Sequence, residues 1–281
     1  METSTMAIQN GRKTCITTSL LQKEETKEAA LHMSEALEVE YLKRGTASIK
    51  DIFEEGYEAI VVCKPEKIIV LNKTEDGSLN EFFFHPGLAM MRIKRMEAKG
   101  EDLMVKAMSL KRGDKVLDCT MGMATDAIVA SWVIGEEGSL VALESCKLIF
   151  EVVKHGLANL RESSSSLTRV FSRIQPVFAN YRDFLFECLE GEYDVIYFDP
   201  MFTVPNMKSA GINPLRAWAD KSAIDTSSFD RALNVARKSV VVKDDVSYGF
   251  SLKRLNIKNC VKSRRGFFQY GYLHKNLNSS D

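Results

Sequence analysis

The sequence predicts an α/β protein, in which a mainly parallel sheet has helices on both faces and a small α+β domain precedes it. Strand-like and helix-like segments alternate from Asp114 onward, which is typical of a parallel sheet covered on both sides. This alternation begins with a strand, a tight turn of small residues and a helix at residues 115–134. At 281 residues, the chain is long enough for one large domain or for a small and a medium one.

The composition excludes several classes of protein. Lys+Arg and Asp+Glu are both 38, which excludes binding of nucleic acid by bulk charge but leaves a local basic patch open. The six cysteines and four histidines are dispersed, so the sequence predicts neither a disulfide framework nor a metal site. The polar residues 1–13 are unlike a signal peptide, and no apolar run approaches the roughly 20 residues that span a bilayer. We therefore expect a soluble cytoplasmic protein without a membrane partner.

Residues 1–84 are predicted to form the small α+β domain. We expect, in order, a strand at 14–19, an amphipathic helix at 24–43, a short helix at 49–55 and two strands at 59–63 and 67–71. The short Pro-containing turn between the last two strands favours a hairpin. Residues 81–87 follow as a third strand or as the hinge into the second domain.

A basic helix is expected at residues 88–110. Its charges are Arg92, Lys94, Arg95, Lys99 and Lys106. Such residues usually form a solvated helix face. The alternative is a basic lip beside the ligand site of the sheet, which would attract a phosphate backbone.

The second domain is predicted to contain alternating strands and helices. The strands are expected at 115–119, 139–144, 173–179, 193–198 and 238–243. The helices are expected at 126–134, 146–160, 181–189 and 227–237, with a polar loop at 162–166. Two final strands, near 256–262 and 266–273, are predicted to form an antiparallel pair.

The turn at residues 120–124 is predicted to hold a ligand. Gly122 allows a close approach to the backbone, and the helix that Asp126 opens directs its N-terminal N–H groups towards an anion. A dinucleotide site needs three glycines and a P-loop needs Gly-Lys-Ser/Thr, and both are absent. A ligand with a carboxylate, an ammonium and a ribose, but no phosphate, suits a single glycine better. Glu144, 22 residues after Gly122, lies where an acidic residue bonds ribose hydroxyls in such units, unless it is an ordinary acidic strand end.

A second chemical site is predicted at residues 199–202. The strand at 193–198 ends there, and ligands in open α/β sheets bind outside the carboxyl ends of the strands. Asp199 and the backbone oxygens of Asp199 and Pro200 are able to accept hydrogen bonds from a planar amine, and Phe202 is able to stack on its ring. Asp199 would lie beside Thr120, Gly122 and Glu144 if the strands are neighbours. The alternative is that Asp-Pro only ends a strand.

These segments resemble the motifs of the class I S-adenosylmethionine (SAM)-dependent methyltransferases, which have a Rossmann-like fold. More narrowly, D-C-T-M-G-M-A-T-D-A (118–127), Y-F-D-P-M-F (197–202) and V-V-V-K (240–243) are similar to the family that methylates the exocyclic N2 of a guanine in 16S ribosomal RNA. The family pattern is D-A-T-A-G-L-G-R-D-A, Y-L-D-P-M-F-P and V-V-V-K. This chain has Ala124 in place of a Gly, Thr125 in place of an Arg, and a proline displaced to Pro205.

The resemblance covers roughly residues 85–270 and implies which residues contact SAM. We therefore expect a methyltransferase domain at 85–281, and we interpret residues 1–84, which the resemblance does not cover, as an accessory domain that helps to bind the substrate. Glu144 would accept from the ribose, Asn180 would bond the adenine amino group, and Asp126 would meet the ammonium or only complement the helix dipole. The implied SAM contacts are Thr125, Asp126, Glu144, Ser145, Asn180, Tyr181 and Asp199, and the predicted cradle adds Asp118, Thr120 and Gly122.

The predicted function is SAM-dependent N-methylation of an exocyclic amine of a base in ribosomal RNA, in the free RNA or in the small ribosomal subunit. Asp199, Pro200 and Phe202 are the predicted catalytic residues, and no metal is expected. Residues 264–268 (R-R-G-F-F) are suited to phosphate contact and stacking, or they form a terminal strand with an exposed basic turn. Two alternatives stay open: a small-molecule or protein substrate, and a SAM-binding module without turnover.

Overall fold

The computed structural model describes residues 12–20, 23–74, 77–161, 168–201, 215–262 and 266–275. A short 3-10 helix lies at Leu215–Ala217. The other helices and strands are, in chain order, β1 (Thr14–Thr18), α1 (Glu24–Leu37), α2 (Ile49–Glu54), β2 (Ala59–Cys63), β3 (Ile68–Lys73), β4 (Leu79–Phe83), α3 (Gly87–Lys99), α4 (Leu103–Met108), β5 (Lys115–Asp118), α5 (Thr125–Ile134), β6 (Ser139–Glu144), α6 (Lys147–Arg161), α7 (Thr168–Ser172), β7 (Ile174–Phe178), α8 (Tyr181–Glu187), β8 (Tyr193–Phe198), α9 (Thr226–Val235), β9 (Ala236–Asp245), α10 (Phe250–Arg254), β10 (Cys260–Lys262) and β11 (Phe268–His274).

The chain divides into two compact units. The first consists of Met1–His85, Cys146–Asn159 and Asn206–Ala219, and the second consists of Pro86–Ser145, Leu160–Pro205 and Asp220–Asp281. The domain division at residues 84 and 85, with its two assigned roles, stays a prediction. In the described ranges, every helix is too short or too polar to span a lipid bilayer.

The first unit contains a four-stranded sheet in the order β1-β2-β3-β4. β1 pairs with β2 in parallel, and the other two pairs are antiparallel. The predicted β2–β3 hairpin is therefore confirmed. The segment predicted as a strand or a hinge is strand β4, which begins two residues earlier than expected.

The first predicted helix was too long. It ends at Leu37, because Glu38 adopts a left-handed conformation (φ 55°) and donates its N–H to the last turn of the helix. The following backbone then runs beside β1, where Ile16 donates to Glu40 O at 3.0 Å and Leu42 donates to Ile16 O at 2.7 Å. Val39 and Leu42, which continued the apolar pattern of the predicted helix, therefore belong to an extended segment that lies beside β1.

The single helix expected at 88–110 is two helices. Gly100 ends α3 in a left-handed conformation (φ 80°), and the Asp102 side chain caps α4 by accepting from Met104 N and Val105 N. A glycine followed by a capping Asp is a stop and a start signal, and the prediction overlooked it.

The second unit contains a seven-stranded sheet in the order β10-β11-β9-β8-β5-β6-β7. Five neighbouring strands are parallel, namely β9, β8, β5, β6 and β7. β11 pairs antiparallel with both β9 and β10. From β5 the chain winds outward through β6 and β7, and it then returns to the other side of β5 for β8 and β9. The order of the sheet therefore reverses between β5 and β8, and this reversal is the point where doubly wound sheets bind ligands.

Helices of the second unit cover both faces of this sheet. Alternate strand residues point to opposite faces. Leu117, Ile196 and Val240 belong to a buried cluster with residues of α8, α9 and α10. On the other face, Ser239 Oγ donates to Met108 O of α4 at 3.2 Å. The predicted α/β fold with a mainly parallel, doubly covered sheet is confirmed.

Some boundaries in the second unit differ from the prediction. The expected strand at 256–262 starts only at Cys260, and α7 and α10 were not predicted. β9 begins at Ala236, inside the segment expected to end the preceding helix. The final antiparallel pair is confirmed, and the polar loop expected at 162–166 lies outside the described residues.

Candidate active site

The carboxyl ends of three neighbouring strands meet at the reversal point of the sheet. β5 pairs with β6 on one side and with β8 on the other, and all three run parallel. Asp118, Glu144 and Asp199 therefore lie at or just beyond the same edge. The predicted site required that these strands be neighbours, and they are.

The turn after β5 is held against the end of β6. Gly122 has a φ of 48° and donates its N–H to Glu144 Oε2 at 3.0 Å, while Met121 N donates to Leu143 O at 2.7 Å. The nearest atom to a Cβ placed on Gly122 would be Thr120 O, at 3.9 Å. The turn is thus a cradle whose backbone stays open to a ligand at Gly122.

Ala124 connects this turn to α5. It is fully buried, has a φ of 56° and accepts the first helical hydrogen bond, from Ile128 N at 2.9 Å. A left-handed conformation costs a residue with a Cβ about 1–2 kcal/mol. This is the position at which the resembling family has Gly. Thr125 follows as the first, partly exposed residue of the helix.

Thr120 joins the cradle to the end of β8. Its hydroxyl oxygen accepts from Asp199 N at 2.6 Å, and its own N–H donates to Asp118 Oδ1 at 2.9 Å. Asp199 therefore lies beside the cradle, as the sequence predicted. Its side chain is 29% exposed, so its carboxylate is accessible from the ligand side. Pro200 follows it and is partly exposed, whereas Phe202 lies outside the described residues.

The carboxyl of Asp118 is buried beneath this contact. Burial raises the pKa of Asp118 to about 8, and the nearby carboxylates of Asp126 and Asp199 act in the same direction. The hydrogen bonds from Thr120 oppose the shift but do not cancel it. Asp118 is therefore mainly protonated at neutral pH.

A network of charges lies under the site. The Asp126 carboxylate accepts from Arg92, from the Tyr197 hydroxyl at 2.8 Å and from Lys243 Nζ at 3.4 Å. Lys243 Nζ also donates to Asp199 Oδ2, at 2.7 Å. Lys243 thus bridges the first turn of α5 and the acidic residue at the end of β8.

The pKa values in this network follow from its geometry. Burial opposes the charge of Asp126, but Lys243 and Arg92 outweigh it and hold the pKa of Asp126 well below its usual range. Burial also opposes the charge of Lys243, but Asp126 and Asp199 raise the pKa of Lys243 above the ordinary lysine value. Burial raises the pKa of Asp199, and Lys243 counteracts that shift.

Arg92 lies neither on a solvated helix face nor on an exposed basic lip, the two interpretations that the sequence left open for the basic helix. Its side chain is only 14% exposed, and its guanidinium forms two hydrogen bonds of 2.9 Å with the Asp102 carboxylate, in addition to its bond with Asp126. It therefore ties α3 to the starts of α4 and α5. Lys94 and Arg95 are exposed, as a solvated helix face requires.

The ends of β6 and β7 carry the remaining predicted contacts. Asn180 caps α8 by accepting from Arg182 N at 3.0 Å, and Ser145 is partly exposed directly after Glu144. Tyr181 is buried with its ring edge against Phe198, at a centroid distance of 5.3 Å. Within the described ranges, its hydroxyl is a buried polar group without a hydrogen-bond partner. Burial raises the pKa of Tyr181 to about 12.

Three site residues were not predicted: Arg92, Lys243 and Tyr197. Lys243 had a signal in the sequence, since a lysine that ends the apolar run V-V-V must find a partner when the strand is buried. Tyr197 lies in the quoted Y-F-D-P-M-F motif and Arg92 in the basic helix, but nothing in the sequence indicated that they pair with Asp126, which lies 71 and 34 residues away. The described ranges bring no group of three or more His, Cys, Asp or Glu side chains together as a metal site.

Comparison with known proteins gives the class to which this architecture belongs. A family model described as "Putative SAM-dependent methyltransferase" matches residues 48–268. The chain belongs to this family of SAM-dependent methyltransferases, and its cofactor is SAM.

Two similar proteins cover nearly the whole chain. The uncharacterized protein YpiP of Bacillus subtilis (strain 168) is 33% identical over 264 residues, which are 92% of this chain and 98% of YpiP. The crystal structure of the SAM-dependent methyltransferase NGO1261 from Neisseria gonorrhoeae has a TM-score of 0.54 and 15% identity. The match covers 95% of this chain and 97% of the NGO1261 chain. The second likeness concerns the fold alone.

The residues of the site fit SAM. The cradle has an open backbone at Gly122 but only one glycine, which suits a ligand without a pyrophosphate. In the charge network, the three carboxylates of Asp102, Asp126 and Asp199 face the two cations Arg92 and Lys243. The excess negative charge complements SAM, whose sulfonium and ammonium outnumber its carboxylate.

Proposed function

We propose that this methyltransferase acts on an exocyclic amine of a base in ribosomal RNA, as the family with the Asp-Pro-Met-Phe motif does. The observation that carries the proposal is the position of Asp199. Its carboxylate is partly exposed, is fixed through Thr120 to the cradle and is oriented by Lys243. A hydrogen-bond acceptor beside the methyl donor suits a nucleophilic nitrogen that carries N–H groups.

We assign the cofactor contacts to the residues around the cradle. Glu144 is the acceptor for the ribose hydroxyls, and Gly122 allows the close approach of the methionyl part. Asp126 accepts bonds on both of its oxygens, which favours a positioning role for it over contact with the SAM ammonium. The proposed contacts are therefore Asp118, Thr120, Gly122, Thr125, Glu144, Ser145, Asn180, Tyr181 and Asp199, and Asp126 positions the residues around them.

SAM supplies an electrophilic methyl group on a sulfonium. The protein has to place the nitrogen lone pair of the amine in line with that methyl group. Asp199 and the carbonyl oxygens of Asp199 and Pro200 accept hydrogen bonds from the N–H groups of the amine and so fix its orientation, which lowers the barrier without a covalent intermediate. As the N–C bond formed, the S–C bond of the sulfonium would break, the demethylated thioether would leave, and the methylated nitrogen would release one proton to solvent. Phe202, which follows in the motif, is the proposed stacking partner of the base.

A base inside a duplex does not reach such a site. The target nucleotide must be unpaired already, or it must rotate out of its stack, at a cost of a few kcal/mol. We therefore expect the substrate to be a structured RNA with an accessible loop or bulge. The predicted accessory domain at residues 1–84 belongs to this proposal as a substrate-binding part.

The test is methyl transfer from labelled SAM to ribosomal RNA and to small ribosomal subunits. Asp199→Ala should lower the rate by at least about 100-fold, because the amine loses its orienting acceptor. SAM affinity, measured by calorimetry, should fall far less than the rate, because Asp199 is only one of several proposed cofactor contacts. Asp230→Ala removes an exposed carboxylate on α9 and is the matched control.

The other possible functions give different results in this assay. Unchanged turnover in Asp199→Ala would contradict the catalytic assignment. Methyl transfer to a small molecule or a protein but not to RNA would show that the proposed RNA substrate is wrong. SAM binding without transfer to any cellular fraction would indicate a binding module.

A further inference from the structure

The charge of the chain is unevenly distributed. The whole chain is neutral, yet between Val246 and Ser280 it contains seven Lys and Arg and no Asp or Glu. The part before Val246 therefore has an excess of acidic residues. The exposed basic side chains of the described part of this segment are Lys253, Arg254, Lys258, Lys262 and Lys275.

Two exposed aromatic rings are stacked on each other at the start of this basic segment. Tyr248 and Phe250 lie with centroids 5.4 Å apart and with an interplanar angle of 4°. They are 45% and 53% exposed. Parallel rings in solvent present a flat π-face to a further ring, and such faces bind unpaired bases irrespective of sequence.

The turn that carries these rings is fixed by the protein. Asp245 Oδ1 accepts from Ser247 N at 2.7 Å and from Tyr248 N at 3.0 Å. Gly249, between the two aromatic residues, has a φ of 56°, and a Cβ there would lie 3.2 Å from Gln269 Nε2. The sequence Tyr-Gly-Phe therefore allows a backbone reversal that places both rings side by side.

A third exposed ring lies at the same edge. Val246 N donates to Phe267 O at 3.0 Å, which brings the chain before β11 next to the turn after β9. Phe267 is 56% exposed. The edge therefore combines three solvent-exposed aromatic side chains with nearby cations.

This edge lies close to the proposed catalytic position. β9 carries Lys243, which contacts Asp199, and it ends two residues later at Asp245. At about 3.3 Å per residue, the turn lies roughly 10–15 Å from Lys243, on the side of the sheet where the parallel strands end. A strand of RNA whose base is at Asp199 would reach the turn within a few nucleotides.

We propose that Tyr248 and Phe250 form an aromatic platform on which unpaired bases beside the target nucleotide stack. Lys253 and Arg254, at the end of the helix that Phe250 begins, neutralise the adjacent phosphates. This proposal rests on the proposed function, since it assumes an RNA substrate. A membrane surface is disfavoured, because α10 has only five residues and offers no amphipathic face for insertion.

The platform is tested by titrating the full-length protein into a fluorescein-labelled RNA hairpin with unpaired adenines in its loop. Tyr248→Ala and Phe250→Ala should each raise the Kd roughly 5- to 100-fold, the range that loss of one stacked base produces. Tyr248→Phe should retain binding, whereas Tyr248→Leu should lose it, because the ring rather than apolarity is required.

Two further variants separate stacking from charge. Phe186→Ala removes a 59% exposed phenylalanine from α8 and should leave the Kd unchanged. The double variant of Lys253→Ala and Arg254→Ala should lower the slope of log Kd against log salt by about 1.4, since each contact with a single strand contributes about 0.7.

The outcomes distinguish this inference from the proposed function. If the wild-type protein binds and methylates RNA but the ring variants bind equally well, the platform is wrong and the function stands. If the wild-type protein neither binds the hairpin nor transfers a methyl group to RNA, both are wrong. If the ring variants lose only binding to phosphatidylserine vesicles, the surface contacts lipid and the platform is also wrong.

Discussion

Asp118 shows how burial sets the charge of a single residue at this site. Its pKa is raised from 3.8 to about 8, so the folded protein holds a proton that the unfolded chain releases at a much lower pH. Between these two values, ionisation stabilises only the unfolded chain. The contribution of Asp118 to stability therefore falls as the pH rises from about 4 to about 8.

Asp118→Asn should remove this dependence. Asn keeps an oxygen that accepts from Thr120 and carries no titratable proton. The variant should gain stability over the wild type by up to about 1.4 kcal/mol per pH unit across this range, and the difference should become constant above pH 8. Urea unfolding at several pH values measures it. Asp230→Asn, on the surface, is the control, and parallel curves for Asp118→Asn and the wild type would refute the prediction.

Ala124 has a left-handed backbone conformation that its side chain makes unfavourable. Ala124→Gly should raise the free energy of unfolding by roughly 1 kcal/mol, because relief of the left-handed strain exceeds the entropy that Gly adds to the unfolded chain. The melting temperature should rise by about 2–4 °C. Ala130→Gly, in the middle of α5, should instead destabilise the protein by about 1 kcal/mol or more. Equal losses in both variants would show that Ala124 is not strained.

At the scale of elements, β9 supplies the cation that connects α5 to the proposed catalytic residue. Lys243→Met should lower kcat roughly 10- to 100-fold with little change in SAM affinity, since Asp199 loses its orienting partner. Lys243 lowers the pKa of Asp199, so its removal should raise that pKa and shift the acid limb of the pH–rate profile to higher pH. Lys243→Arg should restore part of the rate. A fall in rate with an unmoved acid limb would indicate a structural role only.

Elements with local signals could be predicted from the sequence. β8 has the predicted bounds, because an apolar run between turn residues determines it. The proximity of Gly122, Glu144 and Asp199 could be predicted as well, since parallel strands end at one edge. The end of α1 at Leu37 could not, because apolar spacing reports burial and does not distinguish a helix from an extended segment that packs on β1. The partners of Arg92 could not either, because they depend on how α3 meets α4 and α5.

At the scale of the whole molecule, binding of SAM should stabilise the chain by linkage. A concentration of 100 times Kd contributes about 2.7 kcal/mol, which corresponds to a rise in melting temperature of roughly 5–10 °C for a domain of this size. Glu144→Gln should reduce the shift, because the proposed ribose acceptor loses its charge. NAD should cause no shift, because a single glycine leaves no room for its pyrophosphate. A larger shift with NAD than with SAM would overturn this account of the cradle.

The place of β11 in the sheet has a consequence for synthesis of the protein. β9, which carries Lys243, lies between β8 and β11, and residues Phe268–His274 form the latter. Until the ribosome has made those residues, β9 is an unprotected edge whose free N–H and C=O groups are able to pair with another chain. The growing polypeptide therefore passes through a stage in which its seven-stranded sheet is open to misassembly, and chaperone dependence should be greatest at that stage.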